Sequence, residues 1–222
     1  MKIIMAILPV ALLLLIDAAS AQSTYSVSVS HHASLSALSE EQVRQILKDA
    51  SEMLRKDFVS NDDADSACNV TFIVKGPVRT FDSVDTPPII VDKQQRDAVH
   101  KVNSDVADVD FHVKVVKEIK FCRPGVGSFN GCAFPIEFRS VIVLPPGGEL
   151  PDHILWAHEF GHLTGLGHRH SKCALMTACS VAGLKSVARV RVNKEECRCL
   201  RGGLGFCPLP GVVDCDPDAD CQ

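Results

Sequence analysis

Residues 158–168 read HEFGHLTGLGH, and Met176 follows eight residues later in ALMTAC. If 158–165 is helical, His158 and His162 leave the same face one turn apart and can grip one ion. Zinc suits imidazole nitrogen, and a catalytic zinc takes three protein ligands with the fourth position left to water. The third ligand has to come from beyond the helix. Gly165 permits this: lacking a Cβ, it can take a positive φ, end the helix and turn the chain back. His168 then reaches the metal from the other side. Glu159, beside the first histidine, is placed for water rather than for metal. As general base it takes a proton from the attacking water and returns it to the leaving amine. Zinc lowers the pKa of that water from about 15.7 toward 7 and polarises a carbonyl.

Two blander readings compete. The chain has nine histidines, but fixed positions at about one in twenty each put chance occurrence of the pattern at the order of 10⁻⁴. A purely structural zinc would be closed by a fourth protein ligand, usually cysteine. Cys173 is close enough in sequence to serve, but such a site has no use for Glu159.

HExxHxxGxxH followed by a methionine resembles the signature of the metzincin clan of zinc endopeptidases. His158, Glu159, His162, Gly165, His168 and Met176 each stand at a signature position. Within the clan, HEFGHLTGLGH and ALM look most like the matrixins. The resemblance implies a twisted, mostly parallel sheet with an antiparallel edge strand bordering a substrate cleft, an active-site helix, a methionine turn and a C-terminal helix. It also implies one catalytic zinc, a protein or peptide substrate, and Met176 as an apolar floor under the metal that does not ligate it.

There are departures. Arg169 follows the third histidine, where matrixins carry Ser, astacins Glu and adamalysins Asp. Cys173 and Cys179 look more like adamalysin cysteines. The tyrosine that astacins and serralysins place after the methionine is missing: Thr177 and Ala178 stand there, and Tyr25 is the one tyrosine in the chain. No clear second zinc or calcium sequence is visible. His100, Asp108, Asp110 and His112 read as exposed loop and strand residues, and the aspartates of DCDPDADC (214–221) as a solvated tail without the EF-hand Gly and Glu. Calcium is therefore unsupported. His153 and His170 read as neighbours of the motif or surface residues, and His31 and His32 as strand-end residues. No cysteine precedes Cys68, so a matrixin-like N-terminal cysteine switch is not expected.

The remaining residues have to position these groups. TYSVSVS (24–30) alternates at period two and predicts a strand. In 39–58, Val43, Ile46, Leu47, Ala50, Met53, Leu54 and Phe58 recur at helical steps, and Ser39 with Gln42 makes a capping box. Residues 69–76 predict a strand ended by Gly76-Pro77, 110–121 another, and 138–147 a third. Residues 77–105 give no readable element, and Cys122 to Phe138 reads as a Gly- and Cys-bearing loop. The active-site helix opens with Pro151 in its first turn. A last helix over 193–203 has Asn193 and Glu196 at capping-box spacing and Gly202 as its stop. This order says α/β or α+β, with the HExxH helix after the last strand.

Three segments result: a signal peptide (1–21), a metzincin-like zinc protease domain (22–202) and a Cys-rich tail (203–222). Lys2, the apolar run 3–16 and Ala19-Ser20-Ala21 read as a secretory signal, too short to span a bilayer. An uncleaved anchor is the alternative. About 200 residues remain, enough for one domain with a sizeable core. Ten cysteines behind a signal imply a secreted, extracellular or periplasmic protein with up to five disulfides of undetermined connectivity. Asn69-Val70-Thr71 is a glycosylation acceptor in a eukaryote. A net charge of −4 without a basic stripe gives no footprint for nucleic acid. The expectation is a monomeric secreted zinc endopeptidase with no membrane partner after signal cleavage. A zinc hydrolase acting on another substrate, and a catalytically silent binding protein that keeps its zinc, stay open.

Overall fold

The computed structural model describes residues 22–55, 68–122, 128–134, 139–148, 151–168, 174–176, 192–205 and 207. The signal segment, Arg169, His170, Cys173, Cys179 and all of the tail beyond Cys207 lie outside the described residues.

The centre of the fold is a sheet in the order β2-β1-β5-β8-β7, with β3 also paired to β1. Its strands are β1 (Ser23–His32), β2 (Val70–Val74), β3 (Arg79–Phe81), β5 (Phe111–Val115), β7 (Gly131–Phe134) and β8 (Ser140–Val143). Every pairing is parallel except β7 with β8. This is the mostly parallel α/β sheet with one antiparallel edge strand that the sequence led us to expect. A small second sheet pairs β4 (Ile89–Ile90) with β6 (Glu118–Ile119).

Side chains alternate across a strand, so each face has its own composition. Val27, Val29, Phe111, Val113, Val115, Val141 and Val143 point into the main core. There they meet α1 (Glu40–Arg55), α3 (Asp152–Leu163) and α4 (Lys194–Gly202). Ser28, Ser30, His112, Lys114 and Ser140 are buried on the other face. That side also holds a smaller apolar cluster, in which Val99 of α2 (Lys93–Lys101) packs with Ile142.

Local chemistry explains the helices. Ser39 and Gln42 exchange the two capping-box bonds at 3.0 and 3.1 Å, and the apolar stripe from Val43 to Leu54 is buried. Ser51 Oγ donates to Leu47 O and accepts from Phe72 N–H, tying α1 to β2. Asn193 and Glu196 complete the capping box of α4.

Four expectations are corrected. Helix α2 fills part of the unassigned stretch: Asp92 caps it by accepting from Gln95 N–H, but its buried side chains are Arg96, Val99 and His100, too few of them apolar to show a helical period. The strand expected over 110–121 is two, β5 and β6. Val115 and Val116 are both buried, which breaks the alternation where the chain leaves one sheet for the other. The expected loop 122–138 contains β7. Pro151 precedes α3 as its N-cap residue rather than standing inside its first turn.

Among the described residues three disulfides form: Cys68–Cys197, Cys122–Cys132 and Cys199–Cys207. Cys207, assigned to the tail by sequence, is buried in the main core.

Candidate metal centre

Helix α3 is seated on the sheet by Phe160. Its ring lies 4.6 Å from Tyr25, 4.8 Å from Phe72 and 5.2 Å from Phe111, centroid to centroid. With that side buried, His158 and His162 project along another side of the helix. The helix ends in a Schellman turn: Leu166 N–H donates to Gly161 O at 3.0 Å, and Gly165 N–H to His162 O at 3.1 Å. Gly165 sits at the left-handed position of this turn, with φ +97°, as its role in the sequence required. His168 is thereby brought back beside the helix.

The three imidazoles converge. His158 Nε2 to His162 Nε2 is 3.1 Å, His162 Nε2 to His168 Nε2 is 3.1 Å, and His168 Nε2 to His158 Nε2 is 3.3 Å. Among the described residues no other group of three His, Cys, Asp or Glu converges in this way. Two of the outer nitrogens face carbonyls: His158 Nδ1–H donates to Leu175 O at 2.6 Å and His162 Nδ1–H to Leu166 O at 2.8 Å. A neutral ring that donates through Nδ1 carries a lone pair on Nε2. Three such lone pairs facing one point can hold a cation between them. A tetrahedral ion with bonds of 2.0–2.1 Å has ligands about 3.3–3.4 Å apart. The triangle therefore fits zinc. The outer carbonyls do what such groups do at metal centres, fixing tautomer and ring angle. Burial lowers the His158 pKa to about 4; the Leu175 carbonyl opposes this and nearby His168 adds to it. The ring thus stays neutral and able to ligate well below neutral pH.

Glu159 is 4% exposed and faces β7. A Cβ built on Gly131 would overlap its carboxylate and lie 2.6 Å from its Cγ. The bare backbone of Gly131 is what leaves room for the glutamate. Met176 is fully buried and packs under the helix at Gly161, where an added Cβ would overlap Sδ and lie 3.1 Å from Cε. The same turn supplies the Leu175 carbonyl that holds His158.

Sequence reasoning missed Gly131 and Gly161. A glycine inside a helix costs roughly 1 kcal/mol relative to alanine, and that cost was the available signal at Gly161. Gly131 stood in a stretch read as loop and carried no signal. His100, Asp108, Asp110 and His112 do not form a second metal cluster. The two histidines are buried rather than exposed. His112 Nδ1 pairs with Ser28 Oγ at 2.5 Å, and Asp110 accepts from the N–H and Oγ of Ser26.

No family model matches the chain, and no curated protein matches it. Among solved structures it is similar to archaemetzincin from Methanopyrus kandleri, at 14% identity and a TM-score of 0.49 over 80% of this chain and 93% of that one. It is also similar to a zinc-dependent peptidase from Methanocorpusculum labreanum, at 20% identity and a TM-score of 0.41 over 78% and 98%. Metalloproteinase-II from Bacteroides fragilis is a third, at 13% identity and a TM-score of 0.44 over 81% and 53%. What the site can do follows from its own geometry.

Proposed function

We propose that this chain is a secreted zinc endopeptidase of the metzincin type, with His158, His162 and His168 holding the metal and Glu159 as general base. The carrying observation is the triangle of three Nε2 atoms with a buried carboxylate beside it on the same helix. Zinc held there supplies a nucleophilic water near neutral pH and a polarised carbonyl. Glu159 accepts the proton of the attacking water and delivers it to the departing amine. Gly131 fixes where that carboxylate stands, and Met176 closes the floor beneath the helix.

A peptide substrate is supported by β7. It is the last strand of the sheet and borders Glu159. Such a terminal strand can pair with an extended peptide through main-chain hydrogen bonds. Secretion is supported by the signal-like residues 1–21 and by three disulfides, which persist in oxidising compartments.

The test offers a mixed protein and peptide library to the purified mature protein, with and without chelator, alongside Glu159→Gln. We expect chelator-sensitive cleavage, and a Gln variant that retains zinc but loses about 10²–10⁴-fold in rate. A wild type that cleaves nothing, or a Gln variant that cleaves equally well, ends the protease assignment. Turnover of non-peptide substrates alone would move the site to another class of hydrolase.

A further inference from the structure

The chain beyond α4 returns to the metal centre. The Schellman turn of α3 uses the carbonyls of Gly161 and His162, and Thr164 N–H uses that of Phe160. Leu163 ends the helix and Thr164 is its C-cap residue, and their carbonyls have no partner in the turn itself. Both are met from elsewhere. Gly205 N–H donates to Leu163 O at 2.7 Å, and Cys207 N–H donates to Thr164 O at 2.9 Å. Cys207 is close enough to Gly165 that a Cβ there would overlap its carbonyl oxygen and lie 2.8 Å from its carbonyl carbon.

Two amides on a short segment would not hold this position unaided, since each hydrogen bond contributes only about 1 kcal/mol net. Cys207 is bridged to Cys199 on α4, and both are buried. Helix α4 is in turn tied by Cys68–Cys197 to the residue two places ahead of β2, and to β1 by Tyr25 Oη, which donates to Leu200 O at 2.8 Å. The path runs from the sheet, through α4 and the bridge, to residues 164–166. Leu166 O is the acceptor that orients His162, and the same turn delivers His168.

We infer that the Cys199–Cys207 bridge is a positioning device for the metal centre. It holds the amides of Gly205 and Cys207 against the end of α3. Through the turn they clamp, it sets the ring of His162 and the approach of His168. This rests on the proposed zinc site. A bridge that merely stabilised the fold would change unfolding and leave metal affinity alone.

The test is Cys199→Ser with Cys207→Ser, which leaves the other bridges in place. We expect a folded protein whose zinc affinity is 10–100-fold weaker, the range seen when groups behind metal ligands are removed, and whose cobalt-substituted form has an altered visible spectrum. A folded variant with wild-type zinc affinity and spectrum overturns the inference. If the variant does not fold, the wild type still decides. Coupling is reciprocal, so zinc must slow hydrogen exchange at the amides of Gly205 and Cys207, and equal rates with and without zinc overturn the inference. The readout is metal affinity, so failure of the protease reading is separable. A wild type that binds zinc but cleaves no peptide sinks that reading while the affinity comparison still judges the clamp; a wild type that binds no zinc sinks both.

Discussion

The two faces of the sheet bury their residues by opposite chemistry. On the side of α3, Phe160 stacks with Tyr25, Phe72 and Phe111 amid valines from four strands. On the side of α2, Ser28, Ser30, His112, Lys114 and Ser140 are interior, with His100 of α2 also fully buried. Lys114 Nζ donates to Val102 O, just past the end of α2. Burial lowers the pKa of His100 to about 3 and that of His112 to about 4, with nearby cationic groups adding to each shift. It lowers Lys114 to about 7, and Arg79 acts in the same direction. The metal helix thus rests on an aromatic, valine-rich face, whereas the other face buries three ionisable side chains whose pKa values are strongly lowered.

The comparison can be broken or sharpened in four ways. The largest expected effect is on the apolar face. Phe160→Ala should cost about 3–5 kcal/mol by chemical denaturation, and a loss under about 1 kcal/mol would mean that the aromatic cluster does not seat the helix. Next is Gly131→Ala, where the added methyl displaces Glu159. The expected outcome is a folded protein about 100-fold slower in peptide cleavage, equivalent to about 2.7 kcal/mol of barrier. Wild-type activity would show that the carboxylate does not depend on this seat.

The third acts on the polar face. His100 and His112 have folded pKa values below the unfolded value of about 6.5, so the unfolded chain binds more protons between about pH 6.5 and pH 4. Stability should therefore fall on acidification through that window, by up to roughly 1.4 kcal/mol per pH unit for each group. His100→Gln should flatten the slope of the urea midpoint against pH; an unchanged slope would mean that His100 is not buried neutral. The fourth is Lys114→Met. The lysine's folded pKa lies below its unfolded value, so it costs stability below about pH 7, and the cost disappears as pH rises to 10. The variant should match wild type near pH 10 and gain stability near pH 6. Equal stability at both would place the ammonium in water.

Much of the site was legible because its chemistry lies within one helix and one turn. His158 and His162 sit on one helical face by arithmetic, and Gly165 followed from the need to bring back His168. Helix α1 was legible for a similar reason: its capping box and apolar stripe are local. Helix α2 and β7 were not. The buried face of α2 includes Arg96 and His100, which no hydrophobic period reveals. Strand β7 has four residues, one of them a glycine and one a bridged cysteine, so nothing local marks it as a strand.

The sequence alone determined the three-histidine donor set and placed Glu159 beside it, because each depends on spacing along a few turns. Only the tertiary structure decided what surrounds them. Gly131 stands 28 residues before Glu159 and Cys207 stands 42 residues after Gly165. Each meets its partner because strand pairing and a disulfide close those distances; Gly131 is needed only for the space that Glu159 takes, and Gly165, already required by its positive φ, also makes room for Cys207.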